Sequence, residues 1–480
     1  MNPRRVALRV LARLAATPKR LEALLDGELT RHAQAEARDK ALAANLVYAV
    51  LRQRAWLDHL LRAFVRRPLN RLDPPAWDIL RLGAAELVVL NTPPHAAVNA
   101  AVELAKAMQA HAAAGTINAS LRALARGWRG VALPDAATDP VAHLATRLSH
   151  PAWLVEELLP RWGWAEVEAW LMANQRQPPL GLRANTLRTD RAALAAMLRQ
   201  ALPGGAAIDP HPLAPESLAL PGYAGRGGEL PGRAEGLWQR QDPAATAVGR
   251  LLGVGPGMRV LDLCAGVGGK TGHLAALMEN RGEILAVDPA AGRIEGLAEN
   301  MARLGVEIVR PLMADGTALD PPLGPFDRVL VDAPCTGLGT LGRRPDARWR
   351  RTPTDPPRLA GLQLALATRA ADLLAPGGAM VYCTCTVTAA ENEGVVAALL
   401  AARPDLRLEW DLAAAGPAAA AIGADGFFRT LPHKHGCDAF FAARLAKGRP
   451  ETVMKGTNHI HGRAPIRLDH VSAARVAWHG

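Results

Sequence analysis

Cysteine is scarce in this chain. Five thiols in 480 residues form no disulfide framework, and their number is odd. That excludes the disulfide-stapled secreted class and predicts a reducing, cytoplasmic setting. Long apolar runs are missing too. The longest uncharged stretch, Leu412 to Ala424, is mostly alanine and glycine with Pro417 inside, too short and too weakly apolar to span a bilayer. No internal repeat is present. The start, Met1 to Arg9, is basic, but Arg9 and Arg13 interrupt the apolar core that a signal peptide needs. An arginine-rich start would also suit a mitochondrial transit segment. Because the same pattern runs on into a helical region, an ordinary first helix is the better reading.

Acidic residues fall short of basic ones, 45 against 56, leaving a formal charge of +11 and a sequence pI near 10.0. A polyanionic partner follows, and the preponderance of arginine, which forks onto phosphates and stacks on bases, leans towards nucleic acid rather than membrane. At 49% hydrophobic and 21% charged the chain is globular, and its length suits two or three domains.

Residues 1 to about 135 read as all-helical, with Leu42, Leu46, Val50, Leu57, Leu60, Leu61 and Phe64 at helical spacing. Asp73-Pro74-Pro75 and Asn91-Thr92-Pro93-Pro94 mark helix starts. Residues 136–235 form a connecting region, helical around Trp153 to Leu171 and then dense in glycine and proline from Pro203 to Gly236. From 236 to 447 short apolar runs alternate with helical segments. Strands are expected at Met258–Leu263, Glu283–Val287, Val306–Leu312, Arg328–Val331 and Ala379–Tyr382. This predicts an α/β domain with a mostly parallel sheet covered on both faces. Residues 448–480 read as a basic tail.

The first of these strands runs into Cys264-Ala265-Gly266-Val267-Gly268-Gly269-Lys270-Thr271. A phosphate-binding P-loop needs glycine where Cys264 stands, and the dinucleotide fingerprint would need its third glycine at Thr271. What remains is a glycine-rich turn that lets a ligand approach the backbone. Asp262, Asp288, Asp315 and Asp332 each lie at or near the end of a successive strand. One such acid alone could be a helix cap; four together describe a rim of acceptors. S-adenosylmethionine presents a ribose diol, an amino group, an ammonium and a sulfonium to such a rim. Asp288, roughly 20 residues past the glycines, stands where an acid grips a ribose diol. Lys270 could then hold the methionine carboxylate.

Two thiols also fall at strand ends. Cys335 closes Asp332-Ala333-Pro334-Cys335, and Cys385 lies in Tyr382-Cys383-Thr384-Cys385-Thr386. Ligands gather outside the carboxyl ends of such strands, so the pair suggests covalent chemistry, whereas a free cysteine usually only fills space. Cys383 is assigned to packing. A metal cluster of Cys383, Cys385, His433, His435 and Cys437 lacks zinc-site spacing, so no metal is expected.

The glycine loop, Asp-Ala-Pro-Cys and Thr-Cys-Thr, in this order, resemble the Sun/Fmu family of RNA cytosine-5 methyltransferases. The resemblance covers nearly the whole chain, the first domain looking like that of the antitermination factor NusB and Leu182 to Leu187 like the family's connecting region. Among its branches the chain is most similar to the bacterial 16S rRNA enzymes. The resemblance implies a Rossmann-like fold, S-adenosylmethionine bound by Cys264 to Lys270, Asp288, Asp315 and Asp332, and Cys385 as nucleophile. It makes Cys335 the candidate for assisting product release and Asp332 the group that holds the base. Asp-Ala-Pro-Cys also lacks the aromatic residue expected of enzymes that methylate exocyclic amines. Cys335 as nucleophile is the competing assignment, as proline-cysteine is in some DNA carbon-5 methyltransferases. The same reaction on tRNA or another rRNA site, or a silent RNA-binding assembly factor, are the alternative functions. Gly342 to Arg351, arginines interleaved with Trp349, are expected to contact RNA.

Overall fold

The computed structural model describes residues 1–65, 74–202, 206–223, 228–320 and 323–449. Asp73, expected to cap a helix, and residues 450–480 of the expected tail lie outside the described residues.

The N-terminal part is helical: Pro3–Ala16, Leu21–Thr30, Ala37–Phe64, Pro74–Val88, Pro94–Ala107 and His111–Gly127. Asn2 starts the first helix, its side chain accepting from the Arg4 and Arg5 N–H groups, with Pro3 at the first helical position. Leu46, Val50, Leu57, Leu60 and Leu61 are buried together, each contributing about 1.5–3 kcal/mol of burial. The third helix kinks at Gln53 (φ −110, ψ 15).

Helices Pro140–Arg147 and Ala152–Ala173 lead to a small antiparallel sheet of β1 (Leu180–Ala184), β2 (Asp209–Pro210), β3 (Ser217–Leu220) and β4 (Trp238–Arg240), in the order β2-β3-β1-β4. Because Trp238 pairs with Ala184 of β1, this sheet extends past residue 235.

The large sheet contains β5 (Arg259–Asp262), β6 (Glu283–Asp288), β7 (Val309–Met313), β8 (Phe326–Asp332), β9 (Leu374–Thr384), β10 (Leu406–Leu408), β11 (Phe428–Thr430) and β12 (Phe440–Lys447). Its order is β10-β12-β9-β8-β5-β6-β7, with β11 on β12. Strands β5 to β9 run parallel, and β12 is antiparallel to β9. Alternation along the strands explains the two buried faces: Val260, Ile284, Leu330 and Val381 pack on one side, Leu261, Leu285, Val329 and Met380 on the other. The strand expected from Val306 starts at Val309. Gly305 adopts φ +71 and Val306 closes the preceding helix by donating to the Met301 carbonyl, so neither is free to extend. Strand order reverses at β5, between β6 and β8, which opens a crevice at the strands' carboxyl ends.

Candidate active site

β5 ends on Asp262, and the chain turns through Cys264 to Gly268 into helix Gly269–Leu277. Gly266 and Gly268 take φ +56 and +83, a region that favours glycine. Nothing lies within 4 Å of where a Cβ on Gly266 would stand, so the backbone there is open to a ligand. Asp288, buried at the end of β6, accepts from Gly266 N–H (3.2 Å), Ala290 N–H (2.9 Å) and Arg293 (3.2 Å), and so ties the loop to the neighbouring strand. Asp315 is exposed; one oxygen caps the turn at Thr317, accepting from its N–H (2.9 Å) and hydroxyl (2.8 Å). Asp262 is not part of the acceptor rim. It is buried behind the loop and accepts from the Thr271 hydroxyl at 2.7 Å, and burial pushes its carboxyl up to about 7. Two large apolar side chains, Val267 and Met313, stand 48% and 59% exposed beside the remaining acids. An apolar pair with acceptors and open backbone fits a nucleoside that carries no phosphates. Met313 was not singled out from the sequence, since an exposed methionine at a strand end has no local signal.

The parallel register of β8 and β9 sets Asp332 opposite Cys383. Continuing past the strand ends, it brings the Cys335 and Cys385 sulfurs to 3.3 Å of each other. The carbonyls of Cys383 and Cys385 accept from Ala333 N–H (2.9 Å) and Gly339 N–H (2.8 Å), which closes the two loops together. Gly339 is required: a Cβ there would fall 2.1 Å from the Ala439 carbonyl oxygen. Contact with Cys385, then burial, pushes the Cys335 thiol well above its ordinary value. Asp332 accepts from Lys270 Nζ at 2.7 Å and from the Cys383 thiol at 3.4 Å, with a third of its side chain still exposed. Cys383 therefore packs, as expected, but also orients Asp332. The Lys270 ammonium, 5.1 Å from the Phe440 ring centre, spends one of its three donors on Asp332. Burial opposes its charge, and Asp332 outweighs burial.

Family models match three stretches: 16S rRNA methyltransferase RsmB/F over residues 250–446, the NusB family over 1–126, and an RsmF/B-like ferredoxin-like domain over 150–224. The "Probable ribosomal RNA small subunit methyltransferase B" of Synechocystis sp. is 35% identical over 451 residues, covering 93% of this chain and 100% of that protein. The chain belongs to the RsmB/F family of 16S rRNA methyltransferases. Ribosomal RNA small subunit methyltransferase B of Sodalis glossinidius is 33% identical over 93% of this chain and 98% of its own length. The crystal structure of PH0851 covers 93% of this chain and 99% of its own, at a TM-score of 0.75 and 25% identity. NSun6 from Pyrococcus horikoshii, solved with the S-adenosylmethionine analogue SFG, shares the fold at a TM-score of 0.54 and 24% identity, over 62% of this chain and 99% of its own. This family member is an S-adenosylmethionine-dependent methyltransferase, and the acids, open backbone and apolar pair of the crevice fit that cofactor.

Two further features of this RsmB/F protein were not read from its sequence. Glu391, fully buried, joins the two thiol loops. One oxygen accepts from Thr336 N–H (2.7 Å) and Gln363 (3.1 Å), the other from the hydroxyls of Thr336 (2.5 Å) and Thr388 (2.8 Å), with the Thr386 hydroxyl at 3.2 Å. Thr336 and Thr386 directly follow Cys335 and Cys385, so one carboxylate sets both loops. Arg183, buried in β1, donates to the Gly269 carbonyl (2.6 Å) and to Gln241, so the connecting region supports the glycine loop.

The segment Gly342–Arg351, expected to contact RNA, is instead largely committed within the protein. Arg343 pairs with Asp242 and Asp438. Arg348, fully buried, donates to the carbonyls of Ser149 (2.9 Å), Asn174 (3.0 Å) and Arg52 (3.4 Å). The Trp349 indole N–H donates to the Leu51 carbonyl (2.6 Å), and Arg350 to those of Thr17 and Lys19. The physical reason is that helix ends and kinks leave carbonyls without intrahelical partners. Leu51 and Arg52 precede the Gln53 kink, Thr17 and Asn174 are helix C-caps, and Lys19 and Ser149 lie just past helix ends. Guanidinium groups satisfy several such carbonyls at once.

Proposed function

We propose that this protein methylates carbon 5 of one cytidine in 16S rRNA through a covalent bond between Cys385 and carbon 6. The observation that carries this reading is the pair of sulfurs at 3.3 Å beside the partly open Asp332 carboxylate. When bound, S-adenosylmethionine supplies an electrophilic methyl group. Carbon 5 of cytosine is too poor a nucleophile to take it unaided. Addition of the Cys385 thiolate to carbon 6 shifts the ring's electron pair towards carbon 5, which then accepts the methyl. Asp332 holds the N3 and exocyclic-amine edge as charge develops. Solvent water takes the carbon 5 proton, that C–H electron pair restores the double bond, the carbon 6–sulfur bond breaks, and the departing Cys385 sulfur takes the Cys335 S–H proton, which solvent returns. The NusB family match and the basic charge support RNA as the partner. Among the described residues no helix is long and apolar enough to cross a membrane.

The test is methyl transfer to 16S rRNA followed by bisulfite sequencing, with RNA from cells lacking the gene as control. A single small-subunit cytidine is expected to resist conversion only where the protein is present. If every small-subunit cytidine converts, or only a tRNA position is protected, the substrate assignment fails.

The cofactor residues are proposed to be Cys264 to Lys270, Asp288, Asp315 and Asp332. Asp288→Ala removes three accepted hydrogen bonds and the acid facing the ribose. Loss of a charged hydrogen bond costs about 1.5–3 kcal/mol, so S-adenosylmethionine binding measured by calorimetry is expected to weaken at least about tenfold. Unchanged affinity would remove Asp288 from the site.

A further inference from the structure

An open cleft of about 470 Å³ lies where the helical domain meets the connecting helices and the Ala347–Arg350 turn, within the size range of ligand sites, roughly 300–1,000 Å³. None of the residues around the two thiols lines it. Arg54 and Arg62 enter from helix Ala37–Phe64, Thr146 and His150 from the connecting region, and Trp349 closes one side. Asp58 is also on the wall, but both of its oxygens are taken by Arg81, at 2.7 and 2.8 Å. Arg54 lies 5.4 Å from the Trp349 ring centre, and neither it nor the exposed Arg62 has a hydrogen-bond acceptor among the described residues. Burial, then Arg81, pushes the Arg54 guanidinium down, with Asp58 and Asp78 in opposition, so an arriving anion would relieve a poorly compensated charge. The Trp349 N–H is spent on Leu51, so the indole can offer a base only its ring, over which the Arg54 guanidinium already lies.

His150 adds an acceptor. It is 1% exposed, its Nδ1 lies 2.6 Å from the Leu148 carbonyl and must carry the proton, and its Nε2 is buried without a partner among the described residues. Two cations that donate to no acceptor among the described residues, an aromatic face and an unspent acceptor match the parts of one nucleotide: phosphate, base face and base-edge donor.

We propose that this cleft is a second RNA-binding site, which seats one unpaired nucleotide of the substrate RNA. The inference rests on the reading of RNA as substrate. It also links the cleft to the chemistry, because the same segment that supplies Trp349 continues to Arg351, whose Nε donates to the Thr336 carbonyl (2.9 Å) beside Cys335.

The test uses the full-length Arg54→Ala, Arg62→Ala double variant with 16S rRNA and a fluorescein-labelled single-stranded RNA. KM for 16S rRNA is expected to rise at least tenfold with kcat and S-adenosylmethionine affinity unchanged. The slope of log affinity against log salt should fall by about 0.7, the value for one lost phosphate contact on a single strand. Ultraviolet crosslinking of the wild-type chain to the RNA should map to peptides carrying His150 or Trp349. An unchanged KM and salt slope, or crosslinks confined to other peptides, would overturn the proposal. So would equal competition by an acidic peptide, which would make the cleft a protein-docking site. Binding and crosslinking are read without turnover, so they remain informative if no cytidine carbon 5 is methylated.

Discussion

Cys385→Ala is expected to abolish methyl transfer, and Cys335→Ala to leave RNA bound covalently to the protein. Without a sulfur at carbon 6, carbon 5 has no electron pair to offer, so the first variant should lose at least about 10⁴-fold in rate, as removal of a nucleophile typically does. The second variant keeps that attack but loses the thiol beside the bond that must break. Cys335 suits this role because contact with Cys385 and burial keep its proton on, leaving an S–H donor 3.3 Å from the departing sulfur. The measurement is a denaturing gel with labelled RNA alongside methyl incorporation. A slow-migrating species in Cys335→Ala, absent from Cys385→Ala, is the expected pattern. The reverse pattern would make Cys335 the nucleophile and sink the assignment.

Glu391→Gln is expected to lower kcat by about 10²-fold, the order of loss that follows a misplacement of about 1 Å at a reacting group, while S-adenosylmethionine affinity changes little. An amide offers one acceptor oxygen where the carboxylate offers two. Its NH₂ would then face donors: either Thr336 N–H and Gln363, or the hydroxyls of Thr336 and Thr388. Each buried donor left unpaired costs about 1–3 kcal/mol, and the relief available is movement of the loops that carry Cys335 and Cys385. Single-turnover transfer, with and without the Cys335→Ala background, reads this directly. The amount of adduct should fall in the double variant. A lower melting temperature with unaltered single-turnover rate would reduce Glu391 to a purely stabilising residue.

The glutamate and the arginine segment show where a local reading stops. Glu391 precedes a helix, and by sequence it cannot be told from the acids that commonly favour helix starts. Only burial among Thr336, Gln363 and Thr388 reveals it as a shared acceptor. Arg348 and Trp349 look like a solvated or RNA-facing run, because arginine next to tryptophan has the same composition in either setting. Their carbonyl partners, such as Arg52 and Asn174, belong to other helices and are absent from any window around them. Asp262 shares the strand-end position of Asp288 and Asp332, yet the Thr271 hydroxyl and the loop in front of it bury it.

By itself the sequence determined the alternating α/β pattern, the helical start, the glycine turn and the placement of acids and thiols at strand ends. Those features follow from periodicity and turn chemistry, which act within a few residues. The tertiary structure alone decided that the register of β8 and β9 brings two sulfurs together. It also decided that Lys270 and Cys383 converge on Asp332, and that the arginine segment ties the catalytic domain to the helical one. Each of those outcomes depends on partners 50 to 333 residues apart, because a buried polar group takes whichever partner the packed elements bring within reach.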